Sequence, residues 1–552
     1  MKLLTTLLLL AGSVHAQLLP DQKLIDFQQL AALFAKQYAP YEWKRDALGI
    51  DLLHIGPWLE RVRTSKDDLE FYEVCAQYVA SLNDVHSQFF LPSDFYAQLG
   101  FEVDLYDGKP LIEFIDAATA RSFSFRTGDE LVSLDGKTVA DWLKEFRKYT
   151  VFGNSRSTDR SNASLITLRL QAIYPRAAQI GDDATVVVRR KSTGELETYK
   201  MAWEKGGLPI SIVGPVPSPK LSSAREAAGA EPSDLQAISG LRNLRLPAQK
   251  NLRGIGEVTP IFQPSFPASF VRRLGRTTDF FYSGTFESSG KRIGFIRVPD
   301  FLAYNGPDAA PFALRQFETE ISFLEANTDG LVVDVMRNPG GDGCFAEDLL
   351  RRLIPYRFRG LGQEIRVTRS WILAFSQAIE EAKFFGIDQG TISRLELLLA
   401  ELQKAYQQNR GRTDSIPHCG IAFERDPVAV VYTKPVLLLS DEFTVSAAEG
   451  FAAIFQDSKR GQVFGWRTAG AGGSVGGAVT TGFYSEARAS VTETLLVRAG
   501  QVIGSEYPTT SYIENVGVRP DVAVDYMTEA NLTNRGKAFF DAFTAAVVGL
   551  IK

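Results

Sequence analysis

Residues 434–455 read KPVLLLSDEFTVSAAEGFAAIF. Pro435 to Leu439 is an unbroken apolar run, the signature of a strand buried on both faces. Ser446 then opens SAAEGFAAIF, a helical pattern with small side chains in its first turn. A serine at a joint between strand and helix has two readings. It caps the helix, as serine commonly does. Or it is a nucleophile approached over Ala447 and Ala448, with the Ala447 N–H at the helix N-terminus facing an oxyanion.

The same alternation extends on both sides. Upstream, KRIGFIRVPDF (291–301) reads as a strand, FALRQFETEISFLEA (312–326) as a helix and DGLVVDVM (329–336) as a second strand. The glycine turn RNPGGDG (337–343) follows and opens onto the helix CFAEDLLRRLI. Glycines let backbone N–H groups face a cleft with no Cβ in the way, so the N–H of Gly340 is the expected partner of Ala447 in an oxyanion hole. Residues 374–408 read as a helical excursion, PVAVVYT (427–433) and GQVFGW (461–466) as strands, 476–498 as a hairpin and 529–549 as a final helix. Strands alternating with helices predict an α/β core over 273–552, with a mostly parallel sheet covered by helices. Both glycine turn and serine follow strands, where open α/β sheets bind ligands.

Ahead of that core the period changes twice. Residues 17–98 place apolar side chains at helical spacing, as in LIDFQQLAALFAKQYA and DLEFYEVCAQYVASL. Between 99 and 206 short strands flank the turn signals Asp107-Gly108 and Asp135-Gly136. This β-rich module, with TGDELVSLDG at its centre, resembles a PDZ-like domain, a fold that binds extended peptides by strand addition. Residues 207–272 are rich in proline, nine of the chain's 25 falling between 209 and 267. Such a stretch is a linker, or a segment that covers a site and is cut on activation. Residues 1–16, MKLLTTLLLLAGSVHA, form a secretory signal peptide with a cleavage site after Ala16. Its apolar run is too short to span a bilayer. The expectation is an exported protein without a membrane span, periplasmic or extracellular.

At 45% hydrophobic and 23% charged, the 552-residue chain has the composition of a globular protein. Its net charge of −5 comes from interspersed charges, which argues against a nucleic-acid partner. Cys75, Cys344 and Cys419 leave at least one free thiol and match no zinc spacing. Neither metal nor cofactor is expected. A nucleophilic serine needs a base, and the mature chain offers three histidines. His54 reads as a packing residue on an amphipathic helix. His418 falls in a loop beside Cys419. His86, in SLNDVHSQFF, stands where a helix ends and is the best placed of the three.

Four motifs in this order, LVVDVMRNPGG, SDEFTVSAAEG, GWRTAGAGG and IENVGVRPDVAV, resemble the serine peptidases of the tail-specific, or C-terminal-processing, family. One design in that family places a lysine just after a G-x-x-T-x-G loop. Here the loop is Gly465–Gly470 and the position is Ala471. The other design, that of the tricorn core and the chlamydial protease-like activity factor, uses a histidine in L-N-x-x-H and a glutamate in E-N-x-G-V-x-P-D. Those residues match His86 and Glu514. The resemblance implies a serine endopeptidase: Ser446 as nucleophile, His86 as general base, Glu514 orienting the imidazole, and a protein or peptide substrate. It also implies a zymogen and a homodimer. Glu506 is the second choice for the acid, and Glu449 is read as support for the first helical turn. The tricorn core has a bridging serine just before its histidine, where Val85 stands here. An inactive ligand-binding protein on the same fold, and an esterase or transacylase using the same serine, are the alternatives.

Overall fold

The computed structural model describes residues 18–210, 254–302, 309–503 and 506–552. The expected leader (1–16) and the centre of the proline-rich stretch (211–253) lie outside the described residues. The fold is mixed α/β. Four N-terminal helices, a β-rich PDZ module and an α/β core follow one another in the chain.

The core is a seven-stranded sheet in the order Val271–Leu274, Tyr282–Ser288, Lys291–Arg297, Gly330–Asp334, Val436–Ser440, Gln462–Gly465, Val522–Ala523. The first three strands pair antiparallel and the remaining pairings are parallel. The central strands Gly330–Asp334 and Val436–Ser440 are buried at every position, which is why they read as continuous apolar runs. Helices Ala309–Asn327, Gly343–Leu350 and Ala447–Asp457 contribute to an apolar layer with Phe317, Leu350 and Phe451. Helix Lys537–Leu550 packs in a second layer with Phe262, Phe295 and Phe543.

Phe262 belongs to the stretch expected to be a linker. It is fully buried, Gly256 N donates to Arg337 O at 2.8 Å, and Arg297 Nε donates to Glu257 O at 2.8 Å. Residues 254–274 are therefore built into the core, because their aromatic side chains fill its second layer. Two other expectations change, and a third, the helical excursion, is borne out with more detail. Residues 427–433 are not a strand: Val428 N and Tyr432 N donate to the carbonyls of Arg351 and Arg352 instead of a sheet neighbour. The final helix is two, Glu529–Thr533 and Lys537–Leu550, separated by Gly536 at φ 83°. The excursion is a helical pair, Arg369–Phe384 and Gln389–Gln407, turning at Gly386, φ 66°.

In the PDZ module, strands Phe101–Tyr106, Lys109–Ile115, Glu130–Leu134, Asp183–Arg189 and Leu196–Ala202 form an antiparallel sheet. Both Asp-Gly pairs hold positive φ (Asp107 50°, Gly108 74°; Asp135 51°, Gly136 76°), as tight hairpins require. The N-terminal helices are Pro20–Gln37, Tyr41–Leu48, Gly56–Arg63 and Asp68–Ala80. His54 sits on an exposed turn between the second and third, not on a helix. Among the described residues no helix is long and apolar enough to cross a membrane.

Candidate active site

Ser446 is the residue before helix Ala447–Asp457 and holds φ 56°, ψ −120°. A non-glycine residue pays strain there, and this sharp strand-to-helix turn is one known way to present a nucleophile. The glycine turn packs directly against it. A Cβ on Gly340 would lie 2.7 Å from Ser446 Cβ, 2.7 Å from Val445 O and 3.0 Å from Ala447 N. Only glycine allows that approach, and Gly340 itself holds φ 93°. Its N–H, however, donates to Asn338 Oδ1 at 2.8 Å, whereas Gly341 and Ala447 line a small cavity beside Ser446. Apolar side chains, Leu361, Phe451 and Ile454 among them, complete much of the cavity wall, together with His418.

Glu449 is fully buried and does more than support a helical turn. Oε1 accepts from Thr468 Oγ1 at 2.6 Å and Gly470 N at 2.7 Å; Oε2 accepts from Ala471 N at 2.6 Å and Ser446 N at 3.2 Å. It ties the serine's own amide to the loop carrying Ala471. Burial lifts its carboxyl to about 7, against the lowering effect of those bonds. Gly472 N, the next amide, donates to Glu514 Oε2 at 2.9 Å. Two buried carboxylates thus grip three consecutive amides.

Glu514 is also fully buried. Its Oε1 accepts from Lys44 Nζ at 2.5 Å. Burial, then Asp84, raise its carboxyl to about 8, while Lys44 and the Gly472 amide pull the other way. His86 is buried, and neither ring nitrogen has a hydrogen-bond partner. Burial pushes its imidazole below the ordinary range; Asp84 opposes that and Lys44 adds to it. Its backbone is anchored at both ends: His86 N donates to Asp84 Oδ1 at 2.8 Å, and Ser490 Oγ donates to His86 O at 2.7 Å. The preceding residue, Val85, joins Val445 and Ala471 in one apolar cluster. So the histidine segment, the serine turn and the 470–472 loop converge, but the Glu514 carboxylate bonds Lys44 and Gly472, not the imidazole.

The other candidates lie elsewhere. Glu506 is exposed and pairs with Arg467 at 2.5 Å. Cys344 and Cys419 form a disulfide, which leaves no free thiol beside His418; Cys75 is free and buried. His418 is held near 4 by burial, then by Arg394, and its Nδ1 lies 3.0 Å from Gln363 Oε1.

Residues 292–524 match the profile of peptidase family S41, and residues 95–210 match that of a PDZ domain. Residues 292–524 are thus a peptidase family S41 domain. An uncharacterized protein of Chlamydia muridarum is 26% identical, over 97% of this chain and 94% of that protein. A protein of Chlamydia trachomatis is 24% identical, over 94% and 92%. The crystal structure of mature CPAF superposes with a TM-score of 0.73 at 21% identity, over 96% of this chain and 98% of that one. Mature CPAF complexed with lactacystin gives 0.72 over 96% and 99%. These likenesses show that the fold shared with mature CPAF takes in the N-terminal helices. Sequence motifs led to Ser446, His86 and Glu514 but missed Lys44. That residue sits in YEWKRDAL, a polar helix with no pattern to set it apart.

Proposed function

We propose that this S41 peptidase is an exported serine endopeptidase acting through an acyl-enzyme on Ser446. The observation that carries the reading is the Ser446 joint: a strained serine, a glycine turn pressed against it, and a buried carboxylate tying its amide to the facing loop. Ser446 Oγ attacks the substrate carbonyl. His86 takes its proton and returns it to the leaving amine. Glu514 stabilises the imidazolium that forms in between. The Ala447 N–H, with the Gly340–Gly341 turn, receives the oxyanion. Water then cleaves the ester by the same route.

The unbonded His86 ring and the occupied Gly340 amide support a resting state that substrate or processing converts. Ile255, within the 209–267 stretch, packs onto the cluster of Val85 and Val445. This supports a zymogen in which the part of that stretch ahead of the core-bound residues 254–267 is the covering segment.

Labelling by a fluorophosphonate probe, read as intact mass, tests the reading. An adduct is expected on the mature protein, absent in Ser446→Ala and reduced about 100-fold or more in His86→Ala and Glu514→Ala. If the folded protein stays unlabelled, and cleavage within 209–267 does not restore labelling, the catalytic reading fails and a ligand-binding role replaces it.

A further inference from the structure

The ammonium of Lys44 lies at the meeting point of two segments that carry the catalytic motifs. Its side chain is fully buried. Nζ donates to Glu514 Oε1 at 2.5 Å, Asn515 Oδ1 at 2.7 Å and Asn83 O at 2.8 Å. An ammonium has three N–H donors, and here each has an acceptor. Asn515 closes the ring by donating from Nδ2 to Asn83 O at 2.9 Å. Trp43 Nε1, from the same helix, also reaches Asn515 Oδ1 at 3.3 Å. Burying a lone lysine costs several kcal/mol unless it is paired and fully hydrogen-bonded, so this placement is a built site and not incidental packing.

The acceptors identify what the site does. Asn83 precedes Asp84 and His86, and it holds φ 49°; Glu514 and Asn515 lie at the other end of the chain. We propose that Lys44 is a positioning residue for the reaction proposed above, on which this inference rests: it locks the His86 segment to Glu514 and sets a positive charge against that carboxylate, so that its charged form is reached at lower pH than burial alone would allow.

The charges facing the cluster support this. Asp84, Glu514, His86 and the Tyr38 hydroxyl are all buried. Asp84 and Glu514 both act on Tyr38, and Asp84 and Lys44 both act on His86. Burial and Asp84 disfavour the charged form of Glu514, and Lys44 is the chief group that opposes them. Without Lys44 that opposition is lost and Glu514 holds its proton to higher pH. A neutral Glu514 offers no charge to stabilise an imidazolium.

The experiment measures the rate of fluorophosphonate labelling against pH for wild type, Lys44→Met, Glu514→Gln and the double variant. Lys44→Met is expected to label about 100-fold more slowly at neutral pH. Its acid limb should move upward by about one pH unit or more. In the Glu514→Gln background the same substitution should add less than about threefold, since both act through one carboxylate. A folded Lys44→Met protein with the wild-type rate and an unmoved limb overturns the assignment. So does a further loss of about tenfold in the Glu514→Gln background, as expected if Lys44 only holds the fold. Should Lys44→Met not fold, the double variant against Glu514→Gln decides alone. A wild type that never labels, even after cleavage within 209–267, removes the peptidase reading itself. A wild type that labels while every Lys44 comparison is flat removes only this inference.

Discussion

Ser446 holds a backbone conformation that costs a non-glycine residue about 1–3 kcal/mol. Gly340 makes that conformation tolerable by leaving room where any Cβ would strike Ser446 and Val445 O. Gly340→Ala is therefore expected to move the serine and cut probe labelling about 100-fold or more, while circular dichroism stays close to wild type. Unchanged labelling would show that the close approach has no bearing on the nucleophile. Glu514 makes a second prediction at this scale. Its carboxyl is raised to about 8, chiefly by burial. The charged form is therefore populated only above that pH, whereas His86, pushed low by burial, is already neutral. Labelling should rise with pH along a limb near 8 and lose that limb in Glu514→Gln. A limb near the ordinary histidine value of about 6.5 would assign the rate to His86 instead. For stability the sign is reversed. The native state holds the Glu514 proton more tightly than the unfolded chain, so this contribution is present at low pH and lost as pH rises through about 8.

At the scale of elements, local pattern carried far. The apolar run 435–439 and the small residues after Ser446 announced a strand and a helix, and both Asp-Gly turns marked hairpins. The misreadings share one cause. Residues 427–433 have the β-branched composition of a strand but spend their N–H groups on the end of helix Gly343–Leu350, a tertiary choice that composition does not record. The Cys344–Cys419 pairing was equally hidden, since spacing does not determine connectivity. It joins that helix to the segment carrying His418, both on the wall of the Ser446 cavity, and closes a loop of 75 residues. By chain entropy such a loop contributes about 4 kcal/mol. Cys344→Ser with Cys419→Ser should lower the urea midpoint by a matching amount, and dithiothreitol should do the same to the wild type but not to the double variant. A reductant effect that persists in the double variant would refute this account.

Across the whole molecule, contacts between distant segments decide what the motifs do, and these are the part the sequence leaves unread. Nothing in YEWKRDAL points to Lys44 meeting Glu514, and nothing in the PDZ module points to Arg160. That side chain is buried on helix Ser155–Thr167, bonds Asp104 of the same module at 2.7 Å, and reaches Glu442 of the core at 3.0 Å. Its guanidinium also lies 4.6 Å from the ring centre of Phe443. Glu442 and Phe443 belong to the short turn that delivers Ser446, so the module is wired to the nucleophile's approach. Burial alone would raise the Glu442 carboxyl, but Arg160 and Arg156 hold it below its ordinary value. Removing Arg160 leaves two buried carboxylates short of a cation, a defect that costs about 3–5 kcal/mol. Because Glu442 is held low, the stabilisation it provides exists above the unfolded carboxyl range and disappears as pH falls through the folded value. Arg160→Met should therefore be much less stable than wild type at pH 7, as about 3 kcal/mol in urea titrations. The gap should narrow towards about pH 4, where a carboxyl can escape by taking a proton. A deficit of the same size at both pH values would mean that Arg160 acts through packing on Phe443 and not through charge.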